Sequence, residues 1–399
     1  MLTDLRFVFL IGTNLSRFKM YIPQINLITL HRLVQPGKVI VLYGARRVGK
    51  TTLLKHYITK YLNGTEEYLF VTGDDIHVQE YLSSRSIEKL REFVGKNKIL
   101  IVDEAQYIKQ IGLNLKLVVD NLPDIRIIAS GSSSFDLSKQ VGEPLTGRKY
   151  HIKQFPLAEK EISQIEKPHE IKAHLETRLI YGSYPEVVLM NDNQIRQEYL
   201  RELINSYLFK DILELENIRS SEKLVRILRL IAYQIGKEVS YNELGAQLGM
   251  SKNTIEKYLD LLEKVFVIFK RTGFSRNMRK VISKNCRYYF YDIGIRNALI
   301  NNFKPLSLRD DVGQLWENYI ISERYKIHEY DRDFVSSYFW RTYDGAEIDL
   351  VEEKDEELSA FEIKWNKKQV AIPPKWKNAY PNSLNQVINK DNYLKFITR

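Results

Sequence analysis

The sequence predicts an α/β fold: a core of buried parallel strands, then helices, then a helix-turn-helix with a hairpin, then a smaller α/β unit. Three observations predict it. The run VIVLYG leads into a glycine-framed loop and a helical pattern, VIVLYGARRVGKTTLLK from Val39 to Lys55. A second buried run, KILIVDEAQ, closes on an acidic pair. From Ser221 the pattern changes to short, capped amphipathic helices followed by a strongly basic hairpin.

Met1 to Lys19 read as a detached arm, an upstream start that need not be native, and MYIPQINLITLHRLV from Met20 reads as the lead-in to the first strand. The loop then fits G-x-x-x-x-G-K-[ST] with Gly44, Gly49, Lys50 and Thr51 at the required spacing. Bare glycines let successive backbone N–H groups turn onto phosphate oxygens at a helix N-terminus, a site that suits anions. The expected nucleotide cradle is Gly44, Ala45, Arg46, Arg47, Val48, Gly49, Lys50, Thr51 and Thr52. Lys50 would add a point charge for the β- and γ-phosphates of ATP, and the Thr51 hydroxyl would ligate Mg²⁺. A ligand-free glycine turn is the alternative, and the strand before and helix after weigh against it.

A metal and an attacking water need carboxylates from a neighbouring strand. Lys98 to Val102 reads as that strand, with Asp103 at its end for Mg²⁺ and Glu104 to orient or deprotonate water. A third strand, Ile125 to Ser130, ends in GSSS, so Ser130 or Ser132 sits where a γ-phosphate sensor is useful; a serine-rich turn is the competing reading. Arg148 in LTGR is a candidate arginine finger, against a plain solvated arginine. A long helical pattern from Asn193 to Glu216 reads as the lid of the core.

After Ser221, Ser240 and Glu243 form a capping box, Gly249 ends that helix and Ser251 caps the next, at helix-turn-helix spacing. The third helix would present Lys252, Asn253, Thr254 and Lys257 to a groove while Ile255, Leu259 and Leu262 face inward. The hairpin that follows makes this a winged helix, with Arg276, Arg279 and Lys280 in a block of one charge sign suited to DNA phosphates. A winged helix kept for protein contacts is the other reading.

Near the C-terminus, Glu317 falls on a helix, Asp349 in a strand with Glu347 two residues before it, and Glu362 and Lys364 at i and i+2 of another strand. Alternation puts such pairs on one face, so Glu317, Asp349 and Glu362 could hold a metal beside Lys364. Alternating charge on a solvated edge strand gives the same pattern.

Composition sets the limits. A chain of 399 residues, 44% hydrophobic, suggests two to four domains. One cysteine, Cys286, permits no intramolecular disulfide and suits a reducing cytosol. The longest early apolar run, Phe7 to Gly12, is far short of a span, so a cytoplasmic protein without membrane contact is expected. A formal charge of +10 points to a polyanionic partner.

Taken in order, YGARRVGKTTLLK, ILIVDEAQ, ASGSSS, LTGR, YGSYPEVV, the winged helix, GQLWENYI, FWRTYDGAEIDLV and FEIKW resemble a bacterial and archaeal family of AAA-type ATPases. The resemblance implies a P-loop NTPase core with a helical lid and a winged helix. It also implies a C-terminal restriction-endonuclease-like, PD-(D/E)XK nuclease-like domain. Two departures are Gln24, where arginine is expected, and a longer acidic hairpin, Glu352 to Glu357. The domains are drawn at 1–19, 20–175, 176–220, 221–302 and 303–399. Two functions follow, either of them open to a homo-oligomer: an ATPase acting with DNA and a nuclease-like domain, or an ATP switch whose C-terminal domains only bind partners.

Overall fold

The computed structural model describes residues 21–132, 145–208, 221–276 and 286–399. The arm of residues 1–19, with Phe7 to Gly12, and the hairpin residues Arg279 and Lys280 lie outside it.

Five strands form the first sheet: Val39–Gly44 (β1), Tyr68–Thr72 (β2), Ile99–Asp103 (β3), Arg126–Gly131 (β4) and Lys149–Gln154 (β5), in the order β2-β3-β4-β1-β5. Every pairing is parallel. Such a sheet is covered on both faces, which is why β1 and β3 are buried throughout. Along β1 the side chains alternate between two cores: Val39, Val41 and Tyr43 join one, and Ile40 and Leu42 the other, with Leu53, Leu54 and Tyr57 of the helix Lys50–Tyr57. The order corrects one expectation. β3 is not the neighbour of β1, because β4 lies between them. The lead-in forms a helix, Asn26–Leu33, tied to β5 where Asn26 donates to the Lys153 carbonyl at 2.8 Å and to Gln154 Oε1 at 2.7 Å.

The helix Pro168–Tyr181 runs through the boundary drawn at 175/176. The helical pattern from Asn193 is α-helical to Glu202 and then π-helical over Leu203–Leu208; its continuation to Glu216 lies outside the described residues. Helices Ser221–Tyr233, Tyr241–Leu248 and Lys252–Lys264 follow. Ser240 accepts from the Glu243 N–H, Gly249 adopts the left-handed conformation at φ 63°, and Ser251 accepts from the Thr254 N–H. Glu238–Val239 (β6), Ile268–Arg271 (β7) and Cys286–Phe290 (β8) make a small antiparallel sheet, ordered β6-β8-β7.

The last unit packs the helix Val312–Asp331 against Ser336–Arg341 (β9), Glu347–Lys354 (β10), Glu357–Ile363 (β11) and Leu384–Ile388 (β12). The sheet order is β12-β11-β10-β9, antiparallel except for the parallel β11–β12 pair. Glu352 lies in the β10–β11 hairpin opposite Ser359 and is buried, while the turn itself is Asp355 and Glu356, both at positive φ. Aromatic rings join the units, with Phe155 on Tyr291 at 5.5 Å and Phe269 on Tyr325 at 5.1 Å. One hydrophobic cluster runs from β1 to Phe396 and Ile397. Among the described residues no helix is long and apolar enough to cross a membrane.

Candidate nucleotide site and C-terminal carboxylate cluster

Residue types in the phosphate loop are fixed by close approach. A Cβ on Gly44 would lie 1.9 Å from the Gln154 carbonyl oxygen, so β5 itself demands glycine there. Gly49 has φ 91° and faces Gln24 Nε2, 2.7 Å from where its Cβ would be. Gln24 Nε2 also donates to the Val48 carbonyl at 3.1 Å, so the residue standing where arginine was expected braces the loop. Lys50 is buried and donates to the carbonyls of Gly44 at 3.0 Å and Ala45 at 2.7 Å. Arg46 donates to the Tyr107 hydroxyl at 3.2 Å, and Arg47, at φ 61°, pairs with Glu186 at 3.3 Å. Thr52 lines the cleft beside Thr51.

Thr51 Oγ1 donates to Asp103 Oδ2 at 2.6 Å, across the intervening strand. That reach is possible because β4 carries a small residue at the crossing, and Ser130 Oγ donates to Asp103 Oδ1. Ser130 thus makes the contact with Asp103, and neither it nor Ser132, buried beyond the end of β4, lines the cleft. Glu104 is held left-handed at φ 50°, ψ 40°, its Oε2 accepting from Gln106 Nε2 at 2.5 Å. Its carbonyl passes so close to Gly73 that a Cβ there would meet it at 2.3 Å. Arg148 is not brought to the loop. It pairs with Asp120 at 2.6 Å at the start of β5, while the loop follows the far end of β1.

Lys50, Thr51, Thr52 and Glu104 open on a cleft of about 640 Å³, within the usual range for a small-molecule site. Sequence reasoning missed its opposite wall. Tyr21 stacks on His56 at 4.0 Å, and Pro185, Glu186 and Leu189 come from the segment YGSYPEVVL. That motif stood out in the sequence, but nothing in its spacing said which loop it would face.

In the C-terminal unit the helix and two strands converge. Lys364, one residue past β11, pairs with Asp349 Oδ2 at 2.7 Å and Glu362 Oε2 at 2.9 Å, so all three share one side. Glu317 accepts from the Tyr289 hydroxyl at 2.7 Å and lies 3.8 Å from Arg287, which pairs with Glu347 at 2.9 Å. Burial, and then Asp349, push Glu317 up to about 8 and Glu362 up to about 7. The set Glu317, Asp349 and Glu362 is drawn to one region, although among the described residues no group of three or more His, Cys, Asp or Glu side chains is placed to hold an ion. An ammonium, Lys364, bridges two of the carboxylates instead.

On the helix Lys252–Lys264, Lys252, Asn253 and Lys257 are exposed, while Ile255, Leu259 and Leu262 are buried. Arg276 is exposed and lies over the Tyr380 ring at 5.5 Å.

Residues 36–163 match a family described as AAA domain. Residues 172–306 and 312–381 match two domains of unknown function, DUF8612 and DUF4143. The chain therefore carries an AAA-type, ATPase-like P-loop domain in its N-terminal part. Uncharacterized protein MJ1544 of Methanocaldococcus jannaschii is 26% identical over 311 residues, 72% of this chain and 66% of that protein. Uncharacterized protein Rv2008c of Mycobacterium tuberculosis is 24% identical over 338 residues, 84% of this chain and 72% of that protein. Among solved structures, AMPPCP-bound DnaA from Aquifex aeolicus is 17% identical, with 60% of this chain and 84% of that one covered at a TM-score of 0.30. CDC6P from Pyrobaculum aerophilum is 15% identical, with 70% and 95% covered at a TM-score of 0.29. Both superpositions are loose.

Proposed function

We propose that the chain binds and hydrolyses ATP, and that its helix-turn-helix segment is a winged helix that carries this cycle to duplex DNA. The observation that carries the first part is the Thr51–Asp103 hydrogen bond at the edge of a cleft lined by Lys50, Thr51 and Glu104. Hydroxyl and carboxylate oxygens are the hard donors that suit Mg²⁺, which would offset charge on the β- and γ-phosphates when bound there. Lys50 would leave the loop carbonyls for phosphate oxygens. Glu104, already turned into the cleft, would orient a water and accept its proton. Arg148, remote from its own loop, could serve only a neighbouring copy. Lys50→Ala should weaken ATP binding, and Glu104→Gln should bind ATP yet hardly turn it over. Wild-type turnover in Glu104→Gln would end this assignment.

A second reading, Mg²⁺-dependent phosphodiester cleavage by the C-terminal unit, is supported by the convergence of Asp349, Glu362 and Lys364. A cation there must displace the Lys364 ammonium. If it does, Mg²⁺ or Mn²⁺ should raise the melting temperature without nucleotide, Asp349→Ala should abolish that rise with ATP turnover intact, and supercoiled plasmid should be nicked. No rise in the wild type would leave the unit a partner-binding module of an ATP switch.

A further inference from the structure

A second cavity, of about 370 Å³, lies where β1 and β5, the end of β7 and the helix Val312–Asp331 meet, and it shares no lining residue with the nucleotide cleft. Its wall holds Arg271, whose guanidinium sits over the Phe269 ring at 5.0 Å and the Tyr325 ring at 5.1 Å. Its Nε is buried without a hydrogen-bond partner, and no carboxylate among the described residues forms an ion pair with it. Burial pulls its affinity for the proton down. The acids in the cavity are already engaged: Glu329 takes Lys153 at 2.5 Å, and Asp333 takes Lys354 at 2.6 Å. The exposed Arg332 side chain donates to the His151 carbonyl at 3.5 Å. Glu263 and Glu352 act on this guanidinium only through space, with no hydrogen bond or ion pair among the described residues; an oxyanion that arrives beside it forms strong, planar, paired hydrogen bonds. The volume suits a small molecule, and the aromatic surfaces of Tyr43 and Phe334 leave room for an apolar or ring portion.

We propose that this cavity between the units binds a small phosphorylated ligand, gripped by Arg271 from β7 and Arg332 from the helix end. The phosphate could be that of inorganic phosphate or pyrophosphate, or that of a nucleotide. Because the phosphate loop binds the same groups, binding is measured calorimetrically in the Lys50→Ala protein, with pyrophosphate, inorganic phosphate and ADP as separate probes. One pyrophosphate or ADP per chain is expected. Tighter binding of ADP identifies a nucleotide as the source; binding of pyrophosphate or phosphate with no ADP identifies the inorganic anion. Adding Arg271→Met should weaken binding at least tenfold, and because methionine keeps an apolar chain against the Phe269 and Tyr325 rings while removing a charge that burial penalises, the ligand-free melting temperature should change little. Arg332→Ala, at an exposed position, should weaken binding about fivefold and keeps the test open if Arg271→Met does not fold. Absence of binding by all three probes, or affinities unchanged in both arginine variants, overturns the proposal without touching the assignment of the phosphate loop.

Discussion

Glu352 shows how far one residue can depart from what its neighbours in sequence suggest. Set among Glu353, Asp355, Glu356 and Glu357 it reads as surface acid, yet it is buried. Arg324 lies 2.9 Å from it and His328 Nε2 2.8 Å. Burial alone would raise its pKa, but the His328 and Arg324 contacts win and hold it down at about 2. A depressed carboxylate contributes stability above its unfolded pKa and loses it as pH falls through the folded value. The wild type should therefore lose roughly 3 kcal/mol of stability from this group between about pH 4.5 and 2. Glu352→Gln should cost about 3 kcal/mol at pH 7, because it removes the charge that holds half-buried Arg324 and buried His328, and should flatten that acid limb in urea melts. Matching acid profiles for the two proteins would rule this out. Spacing singled out Gly44, Lys50, Thr51, Asp103 and Glu104 because the loop and the strand end that carry them are local patterns, and the structure brings them together. Gln24, Glu352 and Arg271 were not, because each takes its meaning from a partner far along the chain.

Elements were legible where capping or periodicity is local. The Ser240, Gly249 and Ser251 caps sit where the sequence put them, and the apolar stripe Ile255, Leu259, Leu262 is buried as spaced. Strand order was not, since no local signal places β4 between β1 and β3. The exposed row Lys252, Asn253 and Lys257 leads by chain to the basic hairpin, and such a surface should bind duplex DNA with strong salt dependence. Each lost phosphate contact flattens the log–log slope by about 0.9, so Arg276→Ala, Arg279→Ala and Lys280→Ala combined should flatten it by up to ~3 units. Filter-binding or anisotropy titrations across a salt series measure this. An unchanged slope would move the DNA surface off the hairpin.

At the scale of the whole molecule, the candidate nucleotide cleft and the C-terminal unit are joined by a buried polar seam built on the segment FPLAEKEI, residues 155–162. Leu157 lines the cleft, and its carbonyl accepts from Lys326 at 3.2 Å; Lys326 pairs with Glu323 at 2.6 Å, and Glu323 accepts from the Glu159 N–H at 2.6 Å. Glu159 in turn takes Arg178 at 3.0 Å and the Tyr319 hydroxyl at 2.6 Å. Glu161 holds the lead-in by accepting from the Ile25 N–H at 2.9 Å. Partly satisfied networks of this kind are expensive, and fully satisfied ones rigidify what they join. With the hydrophobic core continuous across the same seam, the described units should not unfold independently. Calorimetry should show one cooperative transition, and ATP at a hundred times its Kd should stabilise the whole of it by about 2.7 kcal/mol. Lys326→Met cuts the seam without opening a cavity, since methionine fills most of the lysine's volume. It should split the transition, leaving the C-terminal part insensitive to ATP. A wild-type trace already in two parts, with ATP moving only one, would mean that the cleft and the C-terminal unit are energetically separate despite their contacts.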